Sequence, residues 1–172
     1  MPLMDMAAVL GWHITIVDGR PSYATRQRFG KAHQVIVAKP EAVVPQLFID
    51  GQTVFVLMTH NYHYDKAMLQ QLIGRDTAYI GILGPRKKLL LLLEELQHEG
   101  HSVSDELLLK VFGPVGLDLK AETAEEIALS VTAEIKAVLS GGSGTFLRDK
   151  QQPIHHHAAE AITHVSLPET QG

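Results

Sequence analysis

The sequence predicts an α/β fold, a parallel sheet with helices on both faces, and three observations carry that expectation. Short runs of β-branched and aliphatic residues alternate with stretches of helical periodicity along most of the chain. Two of these runs end on glycine corners, Tyr79-Ile80-Gly81-Ile82-Leu83-Gly84-Pro85-Arg86 and Phe112-Gly113-Pro114-Val115-Gly116-Leu117-Asp118. A capping box, Thr123 with Glu126 three residues later, then opens a helix reaching to Leu139. Strands separated by helices at this spacing make βαβ units, and such units make parallel sheets with right-handed crossovers.

The elements follow in order. Residues 1–10 read as the end of an amphipathic helix, and 13–18 as a strand that finishes on Asp18. Residues 34–38 form a short strand, followed by a helix near 41–48. Residues 53–59 are almost uniformly apolar and rich in β-formers, as expected of the most buried strand, covered on both faces. A helix over 65–73 leads to a strand over 78–83. Pro85 then sits where a helix can begin, and that helix runs to His98 before the stop at Glu99-Gly100. Ser104 caps a helix over 105–110. After Ser140 the chain passes into Gly141-Gly142-Ser143-Gly144.

With 172 residues the chain suits one domain, expected over 1–150, with a flexible tail over 151–172. A net charge of -4 argues against nucleic acid or an acidic membrane as partner. The longest leucine run, 89–93, is bracketed by Lys87-Lys88 and Glu94-Glu95 and is far too short to span a bilayer. Part of that run is expected in the core and part on a face open to a partner or to self-association, so a homo-oligomer is one expectation. There is no cysteine, which removes disulfides, thiolate metal sites and cysteine nucleophiles together. The N-terminus has no basic flank or small-residue cleavage site, and a cytoplasmic setting is expected.

A dinucleotide-binding, Rossmann-like fold opens with a strand and a glycine turn that delivers pyrophosphate to the next helix. Here the chain starts inside what reads as that helix, so the expectation is a Rossmann-like sheet lacking its first strand, with unpaired edges and an apolar gap.

Candidate binding residues cluster at the expected strand ends. Asp18 ends a strand where an acid can hold ribose hydroxyls, and Arg20 beside it can meet a phosphate. Thr59, His60 and Asn61 end the apolar strand, as a polar pocket rim. His63 and Asp65 follow, but the spacing lacks the helical i, i+4 geometry of a metal site, and no metal is expected. Gly81 and Gly84 let a ligand approach the backbone, and Arg86 and Lys87 at a helix start welcome an anion. Gly113 and Gly116 make a third tight corner. His155-His156-His157 reads as part of the polar tail. No nucleophile–base pair and no paired acids stand out, so no catalytic residue is assigned. Two other readings use the same crevice or none: an NAD(P)-dependent oxidoreductase with His60 as acid–base group, and an interaction module without a ligand.

The order of the motifs resembles the XdhC/CoxI family, accessory proteins of xanthine dehydrogenase. The resemblance rests on Ala8-Val9-Leu10-Gly11-Trp12 with Val17-Asp18-Gly19-Arg20-Pro21, and on Val56-Leu57-Met58-Thr59-His60-Asn61. It continues through the two glycine corners, Ala121-Glu122-Thr123 with Glu126-Ile127-Ala128, Leu147-Arg148 and Pro153-Ile154-His155. It implies a Rossmann-like domain that binds molybdenum cofactor, a pterin dithiolene with a phosphate tail, and delivers it to apo-xanthine dehydrogenase or a related molybdenum hydroxylase. A sulfur-transfer protein is a further partner the resemblance implies. Against that pattern the sequence lacks the family's N-terminal domain and the first strand with its glycine turn.

Overall fold

The computed structural model describes residues 1–150. The tail expected over 151–172, with its triple histidine, lies outside the described residues. Among the described residues five strands and five α-helices follow in this order: α1 (Pro2–Val9), β1 (Thr15–Asp18), β2 (Gln34–Val37), β3 (Val54–Leu57), α2 (Tyr62–Leu72), β4 (Tyr79–Ile82), α3 (Arg86–His98), α4 (Asp105–Leu108), β5 (Val111–Phe112) and α5 (Ala124–Ser140). All pairing is parallel. The strands form two sheets, β1-β2 and β3-β4-β5. Helices cover both faces, so the α/β, Rossmann-like expectation holds.

On one face, α2, α3 and α4 bury Leu69, Leu72, Leu92, Leu96 and Leu107 against Leu57, Ile80, Ile82 and Val111. On the other, α5 packs Val131 and Ile135 over Tyr79, with Leu3 of α1, Trp12, Val54 and Val56 at the margin. Alternate residues along β3 and β4 therefore serve opposite helical layers, the period-two consequence of the pleat. Leu90 and Leu91 of the leucine run stay exposed, while Leu92 is fully buried.

Two expectations about elements are corrected. The helix near 41–48 is instead a pair of 3-10 turns, Pro40–Ala42 and Val44–Gln46. Pro45 stands inside the expected span, where a missing N–H breaks the α-helical ladder. The fully buried strand is β4, every residue of which is buried, and not β3, whose Val54, Phe55 and Val56 are half-exposed. The apolar run at 53–59 borders its sheet, with β4 on one side only. Composition cannot separate a central strand from its neighbour when both are apolar.

Local signals account for the helix starts. Asn61 accepts from the Tyr64 N–H to cap α2, and Ser104 accepts from the Leu107 N–H to cap α4. Thr123 and Glu126 form the reciprocal capping box expected at α5. Gly141, left-handed at φ 65°, closes that helix.

Candidate functional site at the carboxyl edge of the sheet

Within each sheet the strands run the same way, so their carboxyl ends gather on one edge, where open α/β sheets bind ligands. Tyr64 in the first turn of α2 joins the two sheets there. Its hydroxyl donates to the Ala38 carbonyl at 2.8 Å, and its ring carbon Cε2 would lie 3.1 Å from a side chain at Gly19. The ends of β1 and β2 thus abut the helix that follows β3. Asp18, Arg20, Thr59, His60, Asn61, Gly84, Arg86 and Lys87 all lie along this edge.

Asp18 and Arg20 are brought together with each other. The Arg20 guanidinium donates to both carboxylate oxygens, at 2.9 Å and 2.8 Å, and the Arg20 N–H donates to the same group at 2.9 Å. This side-chain bond from Arg20, chiefly, holds the Asp18 carboxyl below the usual range. Arg20 also stacks over Tyr23, 4.1 Å from the ring centroid. A ribose or a phosphate would have to displace this internal pair.

The rim over 59–61 is anchored from beneath by a pair that sequence reading missed. Asp65 is fully buried, and Lys88 Nζ meets its Oδ2 at 2.6 Å. The Thr59 hydroxyl donates to Asp65 Oδ1 at 2.7 Å, and Lys88 also donates to the Leu83 carbonyl at 3.1 Å. One ion pair therefore ties the end of β3 to the end of β4. His60, above it, is exposed with a left-handed φ of 56°, uncommon for a residue with a side chain. His60 and His63 are exposed whereas Asp65 is spent on Lys88, so the three do not form a ligand set.

The glycines divide by what surrounds them. A side chain at Gly81 would sit 2.7 Å from Tyr79 Cε1 and from Val115 Cγ2, and one at Gly113 would sit 2.9 Å from Leu89 Cδ2. Both positions are filled by the protein's own side chains. Gly116 adopts φ 108° and lies against Ser130 of α5, whose hydroxyl donates to the Leu117 carbonyl at 2.6 Å. Glu134 Oε2 accepts from both the Tyr79 hydroxyl, at 2.5 Å, and the Gly116 N–H, at 2.9 Å. The third corner is thus clamped to α5. Gly84 (φ 130°) remains at the edge itself, half-exposed beside the Lys88 side chain.

Arg86 and Lys87 occupy the first turn of the 13-residue α3, both exposed. Neither takes part in an ion pair among the described residues. They add positive charge to a helix end that already carries the positive pole of its dipole. Two concavities lie elsewhere: a groove of about 450 Å³ between α1 and α5, and one of about 350 Å³ at the amino edge around Asp76, Ser104 and Lys110.

Missed signals were present. Asp65 falls in register with Met68, Leu69 and Leu72, and Lys88 with Leu92 and Leu96; Glu134 sits beside Ile135 and three residues after Val131. A charge on an apolar helical stripe marks a partner across the core.

Known proteins agree with this architecture. The XdhC Rossmann domain matches residues 1–135. The chain is 35% identical over 135 residues to a probable xanthine dehydrogenase subunit of Bacillus subtilis (strain 168), a match that covers 78% of this chain and 38% of that protein. It is 32% identical over 90 residues to the molybdenum cofactor insertion chaperone PaoD of Escherichia coli (strain K12), 52% of this chain and 28% of the relative. A crystal structure described as a xanthine dehydrogenase from Bacillus halodurans superposes with a TM-score of 0.71 at 28% identity, over 81% of this chain and 39% of that one. The chain thus spans well under half the length of these relatives. No described helix is long and apolar enough to cross a membrane. A parallel α/β fold with its strand ends gathered on one edge, matched over residues 1–135, places the chain in the XdhC Rossmann domain family.

Proposed function

We propose that this domain serves in the maturation of a molybdenum hydroxylase of the xanthine dehydrogenase type, holding molybdenum cofactor at the carboxyl edge for delivery, without turnover of its own. The observation that carries the reading is the pair of exposed cations, Arg86 and Lys87, at the start of α3, next to Gly84 and the Thr59–Asn61 rim. A phosphate tail suits that helix end. Thr59, Asn61 and the half-exposed backbone at Gly84 offer hydrogen bonds to a pterin. Support also comes from the relative named a molybdenum cofactor insertion chaperone. The internal pairing of Asp18 with Arg20 weighs against capture of a ribose, and so against the dinucleotide reading.

The test is Arg86→Ala combined with Lys87→Ala, titrated with molybdenum cofactor by Trp12 fluorescence. Two charges at a helix start, at up to about 1 kcal/mol each, give about tenfold to thirtyfold weaker binding. The urea midpoint stays where it is, because both side chains are exposed. Lys136→Ala, exposed on α5, leaves binding intact. Equal affinity in the double variant and the parent defeats the assignment.

A further inference from the structure

We infer that two copies of this chain associate through α3, the helices laid antiparallel about a twofold axis that passes between Leu90 and Leu91. The helix presents one outward stripe, Lys87, Leu90, Leu91 and Glu94, at the i, i+3, i+4, i+7 spacing that keeps residues on one face. All four are exposed, Leu90 by 54% and Leu91 by 41%. The inward face carries Leu92 and Leu96, both fully buried in the core under the sheet. The run over 89–93 holds more leucine than one inward face can absorb, and Leu90 and Leu91 are the remainder.

The charges on α3 run against its own dipole. A helix favours acids in its first turn and cations in its last. Here the first turn holds Arg86, Lys87 and Lys88 and no acid, while Glu94 and Glu95 stand toward the carboxyl end. Two of these charges are answered within the fold: Lys88 meets Asp65, and Glu95 meets Lys66. The outward ones are not. Lys87 has leucines, not acids, three and four residues on, and Glu94 has the same two leucines three and four residues back. Among the described residues Lys87 has no ion pair, and Glu94 has only His98 at 3.9 Å, with its own side chain 66% exposed.

A second copy answers both ends at once. Read backwards with the charges exchanged, the stripe is the same stripe: cation, leucine, leucine, acid. At a rise of about 1.5 Å per residue, Lys87 and Glu94 each stand about 5 Å along the axis from its midpoint. With the helices antiparallel, the partner's Glu94 therefore lies opposite Lys87, the partner's Lys87 lies opposite Glu94, and Leu90 meets Leu91 twice. The positive pole of each helix also comes beside the negative pole of the other. Such self-complementarity is what an isologous twofold contact requires. A partner of uniform charge, acidic or basic, would satisfy one end of the stripe and repel the other. One helical stripe is a small interface, so the dimer is weak, micromolar in Kd, and sensitive to salt.

Sedimentation equilibrium of the full chain at low salt reads the dimer constant for the parent, for Lys87→Glu, for Glu94→Lys and for the variant carrying both. Lys87 also stands at the proposed anion site, so no cofactor is present and the outcome is independent of that reading. Each single reversal sets like charges against each other at two symmetric contacts and weakens the dimer about tenfold or more. The double reversal returns it to within about threefold of the parent. The two single variants, mixed, associate as the parent does, because each offers the charge the other lacks. Far-ultraviolet dichroism is the same throughout, since both side chains are exposed. The inference is overturned by a parent that stays monomeric at every concentration, by a dimer indifferent to either reversal, or by single variants that do not rescue each other when mixed.

Discussion

Replacing Lys88 by methionine tests the structural centre of the carboxyl edge. The Asp65 side chain is 0% exposed and that of Lys88 18%. In the parent, Asp65 Oδ2 meets Lys88 at 2.6 Å, while Oδ1 accepts the Thr59 hydroxyl. Methionine keeps the apolar stem and removes the ammonium, leaving Oδ2 buried without a partner. Breaking a buried pair from one side costs about 3–5 kcal/mol. Because Lys88 is partly open to solvent, water can reach the vacated place, and about 3 kcal/mol is the expected loss. For a domain of this size that lowers Tm by about 6–12 °C. Urea denaturation followed by Trp12 fluorescence and far-ultraviolet dichroism measures it, with an unchanged m-value. The decisive comparison is Asp65→Asn in both backgrounds. In the parent it strands the lysine and destabilises. With Lys88→Met already present it removes the stranded charge and restores about 2 kcal/mol. A loss below about 1 kcal/mol for Lys88→Met, or the same sign for Asp65→Asn in both backgrounds, refutes the reasoning.

Two further outcomes follow from the packing of Tyr79. Gly81→Ala drives a methyl group to 2.7 Å from Tyr79 Cε1 and Val115 Cγ2, and overpacking there lowers stability by about 1–3 kcal/mol in urea melts. A gain in stability, the usual effect of stiffening the unfolded chain, counts against this packing account. Burial, with the Glu134 bond second, pushes the Tyr79 phenol far above its ordinary value of 10.0. A phenol with a raised folded pKa contributes stability that is fully present below pH 10 and is lost as pH rises beyond it. Spectrophotometric titration of the four tyrosines therefore finds Tyr79 ionising only with unfolding; reversible ionisation in the folded chain defeats this reading.

Much of the fold was legible because local rules and the global fold agree. Thr123 with Glu126, Ser104 and Gly141 each act by satisfying backbone groups within a few residues, and each stands where sequence places it. The helix expected near 41–48 gives way to two 3-10 turns for an equally local reason, since Pro45 lacks the N–H that an α-helical ladder needs. The glycines were legible as corners but not in purpose. Gly81 and Gly113 resemble ligand-approach glycines in sequence, yet what fills their space is Tyr79, Val115 and Leu89. Proximity between residues on different elements is a tertiary fact that spacing does not contain.

Asp65, Lys88 and Glu134 show where that boundary lies. Each sits on a buried helical stripe, so the sequence announces a charge facing the core, but only the fold supplies the partner. Lys88 anchors the ends of β3 and β4; Glu134 anchors the corner after β5 to α5. The exposed Arg86 and Lys87 thus stand at a helix start whose preceding corner is fixed from below by the Asp65–Lys88 pair. On β1 the corresponding corner has no buried ion pair: it is held by the exposed Asp18–Arg20 pair and by Tyr64 against Gly19 and Ala38. Rigidity along the carboxyl edge is therefore uneven: firm from β3 to β5, where buried charges tie the corners down, and weaker at β1.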